Sequence, residues 1–73
     1  MTLHDLPTRH QHTIVAIGGP RPFRRRLMEL GLLPGTSVRV LRQNRASGLV
    51  EFEARGCTMS LRRSEAAFVQ FDG

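Results

Sequence analysis

The run Phe23-Arg24-Arg25-Arg26-Leu27-Met28-Glu29-Leu30-Gly31-Leu32-Leu33-Pro34-Gly35 constrains this chain more than any other segment. Phe23, Leu27 and Leu30 stand at i, i+4 and i+7 and share one face of a helix. Arg24, Arg25 and Glu29 fall elsewhere and stay in water. Gly31 is placed to take the left-handed conformation that ends a helix, with Leu32 next to it to touch Leu27 as a Schellman pair. Pro34-Gly35 then forces a turn. The run therefore predicts a helix over about Pro22 to Leu30, with Pro22 at the first helical position, where its missing N–H costs nothing.

Around this helix the pattern is β. His12 to Ile17 is rich in β-branched residues and reads as the first strand, broken by Gly18-Gly19-Pro20. Thr36 to Arg42 alternates, with Val38 and Val40 on one side and Arg39 and Leu41 on the other. Leu49 to Arg55 alternates again, with Val50, Phe52 and Ala54 inward and Glu51 and Glu53 outward. The polar stretch Gln43 to Gly48 joins these two strands as a hairpin that brings Arg39 near Glu53. Gly56-Cys57 marks the next turn, and Thr58 to Arg62 is a short strand with Met59 and Leu61 inward. Arg63 to Ala67 is one helical turn, capped by Ser64 with Glu65 in its first turn. Phe68 to Phe71 is the last strand. Met1 to Gln11 is an irregular lead-in from which Leu3 and Leu6 can reach the core.

The expected fold is mainly β with one short helix between strands 1 and 2: a small closed barrel of about five strands, residues 1–73 forming one domain. Closure would remove the edges that so small a sheet exposes. A chain of 73 residues buries only about 60% of its unfolded surface. Its core contributes roughly 3–5 kcal/mol net. That size suits a binding or accessory module better than an enzyme with its own deep pocket.

Charge and cysteine narrow the functions. The net charge is +5, and all 11 basic residues are arginine. Arginine suits planar recognition of carboxylate or phosphate. The single cysteine excludes an internal disulfide and matches a reducing cytosol. No charged segment precedes a long apolar run, so no signal peptide is read. No apolar stretch approaches the roughly 20 residues that cross a bilayer. There is no P-loop and no paired-carboxylate motif. Gly18-Gly19 precedes the helix, but Pro20 and Pro22 remove N–H groups that an anion site would use. No catalytic residue is assigned.

Candidate binding residues cluster on the helix and its exit. Arg24 and Arg25 offer a bidentate grip on an acidic partner, while Arg25 or Arg26 can pair with Glu29. Met28, Leu32 and Leu33 form an adaptable apolar patch beside them. His10-x-His12, with His4 and Cys57, supplies the residue types that hold Zn²⁺ or Fe²⁺. No helical H-x-x-x-H and no paired-cysteine spacing supports such a site, so no metal site and no cofactor is assigned. Cys57 reads as a small structural residue.

Three segments carry a resemblance that spans nearly the whole chain. Arg25-Arg26-Leu27-Met28-Glu29-Leu30-Gly31-Leu32-Leu33-Pro34-Gly35-Thr36-Ser37-Val38 is similar to the Arg-Leu-x-Glu-Leu-Gly-Leu-x-Pro-Gly-x-x-Val signature of the FeoA family. Gly56 followed by Leu61-Arg62-Arg63-Ser64-Glu65-Ala66-Ala67 is like its late Gly and Leu-Arg-x-x-Glu-Ala, and Leu3-x-x-Leu6 precedes the first strand. The chain thus resembles the accessory proteins of bacterial ferrous-iron transport, a module also appended to DtxR-type iron regulators. The resemblance implies an SH3-like barrel that works in the cytosol. It implies a protein-interaction role on the FeoB-type transporter, through that transporter's cytosolic GTP-binding domain. It implies no catalytic site and no settled metal site.

A second function is compatible with the residues alone. Small basic barrels also bind nucleic acid, but this chain has no Lys, Trp or Tyr, and its four Phe read mostly as core, so stacking platforms are scarce. Small barrels with a helix-bearing crossover also self-associate, so a weak homo-oligomer stays open.

Overall fold

Apolar and polar side chains alternate along the central strands, and they assemble into a single antiparallel ladder. The computed structural model describes residues 1–72. In chain order the elements are β1 (Gln11–Ile17), α1 (Arg21–Glu29), β2 (Ser37–Asn44), β3 (Leu49–Ala54), β4 (Cys57–Arg62), α2 (Arg63–Ala66) and β5 (Val69–Phe71). The mainly β architecture with its helix between the first two strands is the expected one. The strand order is β4-β3-β2-β1-β5.

The expected closure does not occur. The ladder ends at β4 on one side and β5 on the other. β5 spans only Val69–Phe71, and its far side is taken by the chain's own start. The Phe71 N–H donates to the Met1 carbonyl at 2.7 Å, and Thr2 bridges to Gln70. The lead-in thus does what closure would have done for β5 and leaves β4 open.

That lead-in is ordered by local chemistry. A 3₁₀ turn over Leu3–Asp5 is held by Thr2, whose Oγ1 donates to Asp5 Oδ2 at 2.8 Å. The Thr2 hydroxyl and backbone hold the Asp5 carboxyl below its ordinary pKa. The turn delivers Leu3 and Leu6 into the core, 1% and 3% exposed.

Two bulges tune the sheet. One, between Ile14 and Ala16, lets β1 pair with β2 over its first half and with β5 over its second. The other, between Val40 and Arg42, sets Arg42 opposite Glu51, and the two form an ion pair at 2.9 Å. Arg39 faces Glu53 as expected, but no ion pair joins them among the described residues. The β3–β4 hairpin turns on Arg55-Gly56, not Gly56-Cys57. Both turn residues have positive φ, 54° and 77°, the type I′ geometry that matches strand twist.

α2 also differs from expectation. Ser64 does not cap it. Arg62 stands at the N-cap, and its N–H donates to Glu65 Oε1 at 3.0 Å. The apolar faces of the sheet, α1 and the lead-in meet around Phe52, Val40 and Leu27, each 1% exposed or less. The void at their centre is about 10 Å³, about the size that admits a single water. That void leaves no room among these core side chains for a ligand larger than water.

Candidate functional site

α1 begins where two prolines make it begin. Pro20 is extended, with φ −60° and ψ 148°, and its carbonyl accepts the first helical bond from the Arg24 N–H at 3.1 Å. Pro22 sits at the second helical position rather than the first, and its absent N–H is again one the helix end does not need.

The helix ends in a Schellman motif. The Leu32 N–H donates to the Leu27 carbonyl and the Gly31 N–H to the Met28 carbonyl, both at 2.9 Å. Gly31 takes φ +85°, which a residue without Cβ adopts at low cost. This turn corrects two expectations. Leu30 does not complete the inner face, being 49% exposed; Leu32 does, at 2%. Leu30 is already the cap residue, and the reversal at Gly31 swings Leu32 back over Leu27. Leu32 is therefore core and drops out of the surface patch.

With Phe23 and Leu27 turned inward, the outer face of α1 carries Arg21, Arg24, Arg25 and Met28, which line one shallow groove. Their spacing is i, i+3, i+4, i+7, the spacing of a single helical stripe. Arg21 was not singled out from the sequence, although that spacing was the available signal. Met28 is 59% and Leu33 45% exposed. Leu33 is held in place by Thr36, whose hydroxyl accepts from the Leu33 N–H at 3.1 Å and whose own N–H donates back to the Leu33 carbonyl at 2.9 Å.

Arg26 points elsewhere. Its guanidinium lies 5.6 Å from the centre of the Phe23 ring, and Nη2 donates to Glu65 Oε2 at 2.8 Å. Burial pushes the Glu65 carboxyl up. The Arg62 N–H and the Arg26 guanidinium outweigh that, and its pKa lies below the ordinary value. Glu29, expected to pair with Arg25 or Arg26, has no ion pair among the described residues. Nor do Arg21, Arg24 and Arg25, so their donors remain free for a ligand.

Outside α1 the aromatic Phe68, 39% exposed, leans on Phe23 with ring centres 5.7 Å apart. It covers Gly19, where a Cβ would meet the ring at 2.8 Å.

The histidines are not gathered. His4 lies 3.5 Å from Asp5, and His12 lies 3.9 Å from Asp72. No group of three His, Cys, Asp or Glu side chains suited to a metal forms among the described residues. Cys57 is exposed and free, so it fills no structural niche in the core. No helix of the described residues is long and apolar enough to cross a membrane.

Comparison with known proteins is specific. A family model for the FeoA domain matches residues 1–71. The chain matches no curated protein. The solution structure of the FeoA protein from Chlorobium tepidum superposes with a TM-score of 0.89 at 30% identity, over 97% of this chain and 68% of that one. FeoA of Stenotrophomonas maltophilia superposes with a TM-score of 0.83 at 29% identity, over 99% of this chain and 89% of that one. That protein was solved with zinc and is described as an SH3-domain protein and a candidate activating factor for bacterial ferrous-iron transport. The regulator ScaR with bound Cd²⁺ shares only the fold, with a TM-score of 0.88 at 19% identity over 35% of its length. The ladder described above is thus an SH3-like sheet left open at β4, and with the family model covering all but its last residues, the chain belongs to the FeoA family.

Proposed function

We propose that this chain is a cytosolic accessory protein of ferrous-iron uptake. In this reading it binds the cytosolic GTP-binding domain of a FeoB-type transporter through the outer face of α1. Family membership supports the iron-uptake setting. The observation that supports the binding face is the free stripe itself. Arg21, Arg24 and Arg25 stand on one rigid helix without ion-pair partners among the described residues, next to exposed Met28 and Leu33. Guanidinium groups grip carboxylates in bidentate fashion, and methionine adapts its shape to a partner. A stripe two helical turns long fits a transient interface of the smaller kind. The role is to bind and position, with no bond made or broken by this chain.

Isothermal titration of the full chain into the isolated GTP-binding domain tests this. Binding is expected to weaken at least tenfold in Arg24→Glu/Arg25→Glu, about 1.4 kcal/mol or more, and to weaken as salt rises. Absence of binding by the unmodified chain at low salt overturns the proposal. A basic SH3-like sheet that binds nucleic acid is the competing reading. It would show instead as tight binding of single-stranded RNA with a steep salt slope. Only one of the four phenylalanines, Phe68, is exposed enough to stack on a base, which weighs against it.

A further inference from the structure

The β2–β3 connection and the start of α2 enclose a cleft made of residues that the α1 face does not use. Gln43, Asn44, Arg45, Leu49, Val50 and Arg63 line it. Its volume is about 60 Å³, against the roughly 10–15 Å³ that one water needs. It therefore admits a group of about five heavy atoms. We propose that this cleft binds a phosphate group, as the free ion or at the end of a phosphomonoester, through Arg45 and Arg63.

The walls are fixed before any ligand arrives. Asn44 Oδ1 accepts from the N–H groups of Ala46 at 3.0 Å and Ser47 at 3.1 Å. The Asn44 carbonyl accepts from the Gly48 N–H at 2.8 Å, so the loop is bonded onto itself. The Gly48 carbonyl in turn accepts from the Arg63 N–H at 2.8 Å, which clips the loop to α2. Gln43 Nε2 donates to the His4 carbonyl at 2.7 Å and ties a third side to the lead-in. Val50, 1% exposed, belongs to the core and gives a fixed floor. The ordering of loops that weakens many binding sites is thus already in place.

The charges in the lining are all of one sign. Arg45 and Arg63 are exposed, and their guanidinium groups hold no hydrogen bond or ion pair among the described residues. No Asp or Glu lines the cleft. The carboxylates of neighbouring elements are engaged: Glu51 with Arg42 at 2.9 Å, Glu65 with Arg26 at 2.8 Å and Asp5 with Thr2 at 2.8 Å. Glu53, the other carboxylate of β3, lies four residues beyond Leu49, about 13 Å along the strand. With Asn44 Oδ1 committed to Ala46 and Ser47, Nδ2 is the end of that amide left to donate. The Arg63 N–H is taken by Gly48, so the site rests on side chains and not on the end of a one-turn helix. Two guanidinium groups and a carboxamide outnumber the two oxygens of a carboxylate. A phosphate group brings more oxygens and a charge of about −1.5 to −2 at neutral pH, and arginine grips it in bidentate fashion.

An amide-detected NMR titration of the full chain with inorganic phosphate, at neutral pH and constant ionic strength, tests this. Saturable shifts are expected at the Ala46, Gly48 and Arg63 amides, with a dissociation constant below about 1 mM. Arg45→Gln/Arg63→Gln should raise that constant at least tenfold. Arg9→Gln/Arg39→Gln removes the same charge from exposed positions outside the cleft and should move it less than about twofold. The same spectra report that both variants stay folded. Acetate should bind at least tenfold more weakly than phosphate. Adenosine 5′-monophosphate, run against adenosine, separates the two sources of the group. Binding of the monophosphate at least as tight as that of phosphate, with none by adenosine, assigns the cleft to a phosphomonoester; tighter binding of inorganic phosphate assigns it to the free ion. No saturation by about 10 mM phosphate overturns the proposal. So does acetate binding as tightly as phosphate, or an equal loss in the two double variants.

Discussion

The two sides of α1 are made from neighbouring residues and behave in opposite ways. Leu27 is wholly buried, while Met28, one residue on, is the most exposed of the large apolar side chains. Phe23 and Leu27 close the core over the sheet. Arg21, Arg24, Arg25 and Met28 are exposed, and the three arginines hold no ion pair among the described residues. The first side carries stability and the second is free to carry recognition. In so small a domain that separation would let the proposed recognition surface change without unfolding the chain.

The sharpest way to break the inner side is Leu27→Ala. Truncating a fully buried leucine costs about 2–5 kcal/mol, and a domain of this size has roughly 3–5 kcal/mol to lose. Urea denaturation should show a chain largely unfolded at the start of the titration. A loss below about 1 kcal/mol would mean that the sheet collapses around the gap.

Gly31→Ala should come next, at about 1–2 kcal/mol. Its φ of +85° is strained for any residue with a Cβ. The added Cβ would also sit 3.0 Å from Arg55 Cδ. Arg55 is a flexible side chain and can move, so the backbone strain is the larger part. Gly31→Ala/Arg55→Ala should therefore recover little of the loss in the midpoint of thermal unfolding. Full recovery would show that the contact, and not the left-handed turn, makes glycine necessary.

These two positions also show how far the sequence could be read. Proline at the start, glycine at the stop and alternation along β2 and β3 are local chemistry, and they placed the helix, the strands and the fold class. Periodicity failed at Leu30 because it assumes that the helix continues, whereas the Schellman reversal hands the third core position to Leu32. Closure failed for another reason. Whether β4 meets β5 depends on Met1 and Thr2 arriving at β5 from the far end of the chain, and no local pattern records that. The candidate face was legible in Arg24, Arg25, Met28 and Leu33. The diversion of Arg26 was not, because its partner Glu65 lies 39 residues away.

That diversion gives a smaller, pH-dependent effect at the border of the two sides. Glu65 has its carboxyl below the ordinary value of 4.5 in the folded chain. A depressed carboxylate stabilises above its unfolded pKa, and the stabilisation is lost as pH falls through the folded pKa. The Glu65 side chain is 26% exposed, so the ion pair itself is worth about 0.5–1 kcal/mol. Glu65→Gln should lower stability by that amount at neutral pH and by progressively less below about pH 4. A difference that stays constant across this range would place the role of Glu65 in packing.

The smallest effect on the fold is expected where recognition is proposed. Met28→Asp/Leu33→Asp puts two carboxylates on side chains that are 59% and 45% exposed. Neither fills the core, and substitutions at such positions usually fall within about 0.5 kcal/mol. Met28→Asp also brings a negative charge into the last turn of the helix, where the dipole disfavours it by about 0.3–1 kcal/mol. Arg24 lies one turn back, at i−4, and offsets part of that. The double variant should therefore unfold within about 1 kcal/mol of the unmodified chain and still lose the titration signal with the GTP-binding domain. Leu27→Asp, one residue from Met28, should not fold at all, because it buries a carboxylate without a partner. If Met28→Asp/Leu33→Asp unfolded as Leu27→Asp does, the two sides of α1 would be one core, and the binding face would have to be sought elsewhere on the molecule.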